Sequence, residues 1–262
     1  MRDAPEPMPR ERFDEWLRQA EERHLADLTF SQVSSGLRAL SSTYVQRRHR
    51  LGEGAALDGA GKRAAFTLFY APLHFLLVRA IVAALPGATD RTSVLCDLGC
   101  GTGAAGAAWA SACASAPRVV GVDRHPWALG EAARTYSDFG LAGRTVRGDI
   151  SSWPLPREKA SILAAFALNE LADSPRDALM KRLLEHAAAG SPVLVVEPIA
   201  GIVARWWGPW RARVEAAGGR ADEWRFRLEL PAIVAKLDRA VKLDHRELTG
   251  RSLWLSPPPA RA

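Results

Sequence analysis

Apolar positions along the chain follow two regimes. Over the first third they keep helical spacing. Phe13, Trp16 and Leu17 lie on a charged segment within residues 1–25, and Val33, Leu37, Leu40 and Tyr44 recur at three and four between Leu28 and Arg50. The Gly-rich stretch Leu51–Gly61 predicts a loop, and Lys62–Leu85 predicts a long, strongly apolar helix stopped by Pro86-Gly87. After Gly87 short β-rich runs alternate with Ala-rich helical ones. Ser93–Asp97, Val119–Asp123, Thr145–Asp149, Ser161–Phe166 and Val193–Glu197 predict strands. Ala104–Ala114, Pro126–Phe139 and Arg176–Ala189 predict the helices between them. Such alternation means βαβ units and a parallel sheet covered on both faces, with ligands beyond the carboxyl ends of the strands. The tail predicts a Trp/Arg helix over Ile202–Ala217 and a helix over Ala232–Arg239. A hairpin follows, with arms Val241–Glu247 and Ser252–Leu255 and a turn at Thr249-Gly250.

The pattern divides the chain into an N-terminal helical extension (residues 1–87), an α/β domain (88–256) and a short Pro-rich flexible tail (257–262). With 262 residues, 48% hydrophobic and 24% charged, the composition is that of a globular protein, which excludes a disordered chain and needs no disulfide staples. Cys96, Cys100 and Cys113 are odd in number and lack CxxC spacing, so neither a disulfide framework nor a zinc site is expected, and the setting expected is a reducing cytoplasm. Residues 1–7 contain no apolar signal-peptide core. The apolar stretch Phe66–Pro86 is broken by Pro72, His74 and Arg79, so no membrane association is expected. Of the formal charge of +6, residues 201–262 supply +5, from 12 Lys/Arg against 7 Asp/Glu. That excess suits either a polyanion partner or a solvated Arg-rich surface.

The chemistry concentrates in Val94-Leu95-Cys96-Asp97-Leu98-Gly99-Cys100-Gly101-Thr102-Gly103, an apolar strand running into a glycine-rich turn and then a helix. Glycines there allow positive φ and close approach of a ligand to the main chain, while the helix points free N–H groups at it. Asp123, 20 residues after Gly103, ends the next strand, where a carboxylate can accept both hydrogen bonds of a ribose diol. Gly101-Thr102-Gly103-Ala104-Ala105-Gly106 also satisfies GxGxxG, so a nicotinamide enzyme is the rival reading. The acidic residue of Asp97-Leu98-Gly99 at the strand's end favours the other.

That other reading is a resemblance to class I S-adenosylmethionine-dependent methyltransferases, whose first motif is acidic-x-Gly-x-Gly-x-Gly. It implies a Rossmann-like α/β fold with a mostly parallel seven-stranded sheet, here with an N-terminal helical extension, and S-adenosyl-L-methionine as cofactor. By the resemblance, Gly99, Cys100, Gly101, Thr102 and Gly103 hold the methionine part, with Asp97 supporting the loop and the amino group. Asp123, next to Arg124, takes the ribose hydroxyls. Gly148-Asp149-Ile150 borders the adenine, with Asp149 reaching its amine, and Phe166-Ala167-Leu168-Asn169-Glu170-Leu171 borders the reacting methyl group.

The flanks Ser35–Tyr44, Lys62–Phe66 and Tyr70-Ala71-Pro72, with Asn169-Glu170-Leu171 and Val195-Val196-Glu197-Pro198, resemble a narrower group. This is the methyltransferase-like family associated with the small ribosomal subunit of bacteria and mitochondria. That family carries iron–sulfur cysteines after the Glu-Pro motif, whereas here no cysteine follows Cys113, so a cluster is not expected.

Methyl transfer asks mainly for alignment and desolvation, and a general base only where the acceptor loses a proton early. Asn169 and Glu170 are the catalytic candidates, by position after the fourth strand; for Glu170 the alternative is a helix N-terminal carboxylate. Glu197 is expected to be structural rather than a base, Tyr70, beside His74, to be core rather than a cover for the methionine end, and His125 to be a cap rather than an edge to the adenine. No metal ligands are spaced for a site. Trp206, Trp207, Trp210 and Trp224 among arginines suit either stacked single-stranded RNA or a packed core. Three functions remain open: an RNA methyltransferase acting on ribosomal RNA of the small subunit, a small-molecule methyltransferase, and a cofactor-binding assembly factor without turnover. The first is the leading expectation, with RNA or the small subunit as partner of the basic Trp/Arg tail.

Overall fold

The computed structural model describes residues 10–46, 57–90, 92–156, 158–199, 205–243 and 245–256. The Pro-rich tail and most of the Leu51–Gly61 loop lie outside the described residues.

Strands β1 (Val94–Leu98), β2 (Arg118–Asp123), β3 (Gly143–Arg147), β4 (Ser161–Ala165), β5 (Val193–Glu197), β6 (Arg220–Phe226) and β7 (Leu248–Leu255) form one sheet. Its order is β3-β2-β1-β4-β5-β7-β6, with β7 antiparallel to β5 and to β6 and the remaining pairs parallel. Every residue of β1, β4 and β5 is buried, as parallel strands covered on both faces require. β2 leads outward from β1 and β4 leads the other way, so the strand order reverses between them, and a ligand crevice forms at such a switch point.

Nine helices carry the rest of the described fold. Phe30–Gln46 (α2) opens on a capping box: Thr29 N–H donates to Gln32 Oε1 at 2.8 Å, and Gln32 N–H donates back to Thr29 Oγ1 at 3.3 Å. Ala60–Ala65 (α3) continues through a π-helical turn, Phe66–Tyr70, into Ala71–Ala84 (α4). These 25 residues are long and apolar enough to cross a membrane, yet 67% of their most apolar window is buried within the protein, as a core helix would be. Helix α1 (Arg10–Leu25) docks through aromatic rings. Phe13 stacks on Phe75 at 4.8 Å, Phe75 on Phe139 at 5.0 Å, and Trp16 donates its indole N–H to Thr135 Oγ1 at 3.3 Å. The N-terminal helices therefore share one core with the sheet. Helices α5 (Ala104–Ala112), α6 (Pro126–Asp138), α7 (Asp173–Ala188), α8 (Trp207–Ala216) and α9 (Ala232–Val241) complete the layers.

The expected C-terminal hairpin does not form. β7 runs unbroken through Thr249-Gly250, and its partner is β6, across α9 in sequence, rather than Val241–Glu247. Gly250 marks a close approach instead of a turn: a Cβ there would lie 3.0 Å from Leu77 Cδ2 on α4. The strand that takes the hairpin arm's place contains Trp224-Arg225-Phe226, whose alternation is the period of a half-buried edge strand. The third strand also begins earlier than expected and ends at Arg147, leaving Gly148-Asp149-Ile150 in the loop.

Trp16 is 2% exposed at the centre of the α1 docking cluster. Trp16→Ala is expected to lower the unfolding free energy by about 3–5 kcal/mol, measured by urea denaturation. A loss below about 1 kcal/mol would show that α1 is not part of the cooperative core.

Candidate functional site

The glycine loop is stitched to the end of β2. Gly99 and Cys100 N–H both donate to Val122 O, at 2.8 and 3.0 Å, and Gly101 N–H donates to Asp123 Oδ2 at 2.9 Å. The other oxygen of Asp123 accepts the His125 N–H at 2.8 Å. Gly99 sits at φ +73°, and a Cβ on it would lie 2.4 Å from Ala167 Cβ, so only glycine lets the loop lie against the turn after β4. Asp97 braces the loop from behind. Its Oδ2 accepts Gly106 N–H at 3.1 Å and the Tyr136 hydroxyl at 3.4 Å. Burial pushes Asp97 up to about 7, against the pull of the Gly106 N–H, and its Oδ1 has no partner.

Across the crevice, β4 ends at Phe166, a bulky residue at φ +59°, followed by the 3₁₀ turn Leu168–Glu170. Glu197 at the end of β5 fixes that turn: Oε1 accepts Leu168 N–H at 2.9 Å and Oε2 accepts the Asn169 amide. Asn169 Oδ1 in turn accepts the Trp206 indole N–H at 3.0 Å. Both ends of the Asn169 amide are thus engaged. The Glu170 carboxyl is different, with no hydrogen-bond partner among the described residues. Burial, reinforced by Asp123 and opposed by Arg124, lifts it to about 7.

These elements enclose a cavity of about 660 Å³, within the size range of small-ligand sites. Gly99, Cys100, Gly101 and Thr102 line its floor. Asp123, Arg124, Gly148, Ile150, Phe166, Ala167, Asn169 and Glu170 line its walls. Three expected site residues do not line it. Asp97 and Gly103 lie behind the loop, so Asp97 braces the loop without facing the cavity. Asp149 is exposed, its Oδ1 accepting from Ser151 N–H and Oγ–H. Phe66 and Tyr70, on the π turn joining α3 to α4, and His74, on α4 itself, roof the cavity, although an apolar helix predicts core there. The signal for them was two polar aromatics, Tyr70 and His74, four apart on that helix. His125 both caps α6, accepting Ala128 N–H at 3.5 Å, and lines the wall.

The cavity suits a nucleoside-bearing cofactor. Each Asp123 oxygen spends one lone pair on the loop and keeps another for a diol, and Ile150 and Ala128 offer apolar walls to a flat base.

Residues 95–190 match the methyltransferase domain family. No curated protein matches the chain. Among solved structures, an O-methyltransferase of neocarzinostatin biosynthesis, bound to S-adenosylmethionine and 2-hydroxy-5-methyl naphthoic acid, is 19% identical with a TM-score of 0.53, over 90% of this chain and 73% of that one. The S-adenosylmethionine-dependent methyltransferase SibL, in its apo form, is 18% identical with a TM-score of 0.50, over 92% and 74%. At this identity the likeness is one of fold, and it extends through the N-terminal helices.

Asp123→Ala is expected to weaken S-adenosylmethionine binding at least about tenfold in calorimetry, by removing a diol acceptor and loosening Gly101; unchanged affinity would take the ribose away from Asp123. A second expectation concerns stability. Glu170 titrates near 7 when folded and near 4.5 when unfolded. Between those values the folded chain holds a proton that the unfolded chain has released, so stability falls as pH rises through the window. Glu170→Gln should therefore leave stability near pH 4 unchanged and raise it near pH 8 by about 1–3 kcal/mol. Equal shifts at both pH values would remove burial as the cause. Domain match and sheet order agree: residues 95–190 match a methyltransferase domain, and the chain has the Rossmann-like class I methyltransferase fold.

Proposed function

We propose that the acceptor is a small molecule taken into the cavity beneath the helical roof, and that Glu170 accepts the proton it gives up. The observation that carries this reading is the half-buried Glu170 carboxyl, which has no hydrogen-bond partner among the described residues and lines the same cavity as the glycine loop. When bound, S-adenosylmethionine supplies a methyl group already activated on a sulfonium. The chain's own work is alignment and exclusion of water. The loop and Asp123 fix one part of the cavity wall, the Glu197–Asn169 tie fixes the turn after β4, and Phe66, Tyr70 and His74 line the roof. Asn169, with both amide atoms engaged, is a positioning residue; Glu170 is the candidate for proton transfer.

RNA as acceptor rests on the resemblance to the small-subunit-associated family and on the tail's aromatics and charge; the structure bears only on the tail. Trp206, Trp207 and Trp210 are 7%, 8% and 0% exposed, which leaves little ring surface for bases. The arginines are partly neutralised in place, Arg211 by Glu215, Arg220 by Asp222, and Arg225 and Arg227 by Glu247.

Incubation with methyl-labelled cofactor and separate small-molecule, RNA and protein fractions tests the reading. Label is expected in the small-molecule fraction. Nuclease-sensitive label in RNA would overturn it, and cofactor binding with no label anywhere would identify a non-catalytic binding protein. With the acceptor in hand, the rate should rise with pH through about 7, and Glu170→Gln should remove that limb while lowering kcat by about 10²–10⁴-fold.

A further inference from the structure

Phe66, Tyr70 and His74 follow one another at intervals of four. Four residues on an α-helix overshoot a full turn by about 40°, so three such side chains would fan out along a regular helix. Here residues 66–70 form a π-helical turn, whose wider winding falls short of one turn over the same interval, and α4 then brings His74 back into line. The three rings share one face, and that face lines the cavity. Their centroids form a nearly equilateral triangle with sides of 6.0, 6.1 and 6.2 Å. A single point above the triangle lies within about 6 Å of all three centroids, which meets the distance condition of a cation–π contact.

The surroundings favour a cation at that point. Burial pushes His74 down to about 3, so its ring is neutral, and its face is stacked on Phe166 at 3.8 Å. Tyr70 hydrogen-bonds Ser41 on α2. Asp58, Asp123, Glu170 and Glu197 line the cavity against Arg124 and Arg147, and the bare Glu170 carboxylate gains most from a positively charged neighbour.

Resting on the small-molecule reading above, we propose that the acceptor is an amine, held as its ammonium ion over the Phe66–Tyr70–His74 triangle and paired with Glu170. The ammonium gives its proton to the Glu170 carboxylate. The freed nitrogen lone pair forms the new N–C bond as the methyl group's C–S bond breaks, and sulfur keeps that electron pair. A methylated ammonium ion and a neutral thioether result, and the proton on Glu170 passes to water when the products leave. Substrate and product are both cations, so one aromatic wall holds both.

Choline and 3,3-dimethylbutan-1-ol have the same shape and differ in charge, which makes them suitable probes. Both would be titrated by ligand-detected NMR into protein saturated with S-adenosylhomocysteine, whose own binding is first measured by calorimetry. Choline is expected to bind at least about tenfold more tightly than the alcohol. Tyr70→Leu and Glu170→Gln should each weaken choline about tenfold and leave the alcohol within about twofold, while Tyr70→Phe, which keeps the ring, should retain choline. Equal binding of the two probes, or no binding of choline, would overturn the proposal in favour of an uncharged acceptor. Choline that binds only without S-adenosylhomocysteine would assign the triangle to the cofactor's own sulfonium, which also overturns it. Failure of S-adenosylhomocysteine to bind would instead bring down the methyltransferase reading on which the proposal stands.

Discussion

The mouth of the sheet is held by one carboxyl group that solvent does not reach. Glu197, 0% exposed at the end of β5, takes the Leu168 N–H and the Asn169 amide across to the turn after β4. Asn169 passes the connection to the Trp206 indole, and Arg251, opposite Glu197 on β7, lies 4.0 Å over the ring of Trp207. Four elements, β4, β5, β7 and α8, thereby meet in one buried polar network. Burial is the larger influence on Glu197 and lifts it to about 7, with the Leu168 N–H and Arg251 pulling the other way. Removing one partner from such a network leaves a buried group uncompensated, at a typical cost of about 3–5 kcal/mol. What the network secures is position. Phe166, Asn169 and Glu170 can face the glycine loop only while the turn between β4 and α7 is tied down.

Much of this was legible in the residues, and the reason is physical. β1, the glycine loop and α5 are specified locally: a largely apolar run, glycines where φ must be positive, and an Ala-rich helix directly after them. The alternation of β and Ala-rich runs specified the parallel part of the sheet in the same way. Gly250 misled because a glycine between β-prone residues signals either a turn or a close approach, and only the packing of α4 distinguishes them. The role of Asn169 was equally invisible, since its partners, Glu197 and Trp206, lie 28 and 37 positions away. Tyr70 and His74 depend on a π turn, which five apolar and aromatic residues do not announce.

The Trp/Arg segments show how composition can point to a surface that the fold then consumes. Trp206 lies 4.9 Å from Trp210 and 5.5 Å from Trp207, and Trp210 donates its indole N–H to Asp177 on α7 at 3.1 Å. The cluster packs α8 against the sheet face that also holds Leu179, Met180 and Leu183. Trp224 and Phe226 stack together at 5.8 Å on the edge strand, where Trp224 donates to Ser252 Oγ at 2.8 Å. Arg176 and Arg251 serve as cation–π partners of the Trp206 and Trp207 rings, and Arg211, Arg220, Arg225 and Arg227 stand in local ion pairs. Exposed pairs of that kind contribute little to stability, about 0–1 kcal/mol each, but they remove isolated positive charge from the tail.

Three departures from ordinary local structure fall on the walls of a single cavity. Phe166 holds a left-handed backbone conformation, worth about 1–3 kcal/mol of strain. The π turn at Phe66–Tyr70 gives up regular helix hydrogen bonding, and the half-buried Glu170 carboxyl has no hydrogen-bond partner among the described residues. Comparable departures also lie elsewhere, among them Lys242 at φ +59° and the unpartnered buried guanidinium nitrogens of Arg176 and Arg251. The three on the cavity have a shared consequence, because each is unfavourable for folding and each shapes what the cavity presents. Phe166 carries the ring on which His74 rests, the π turn aligns the roof, and the bare carboxylate is left for a ligand to neutralise. A sheet with β1, β4 and β5 buried throughout supplies the stability that such a site spends, and the site is where the fold gives up stability for chemistry.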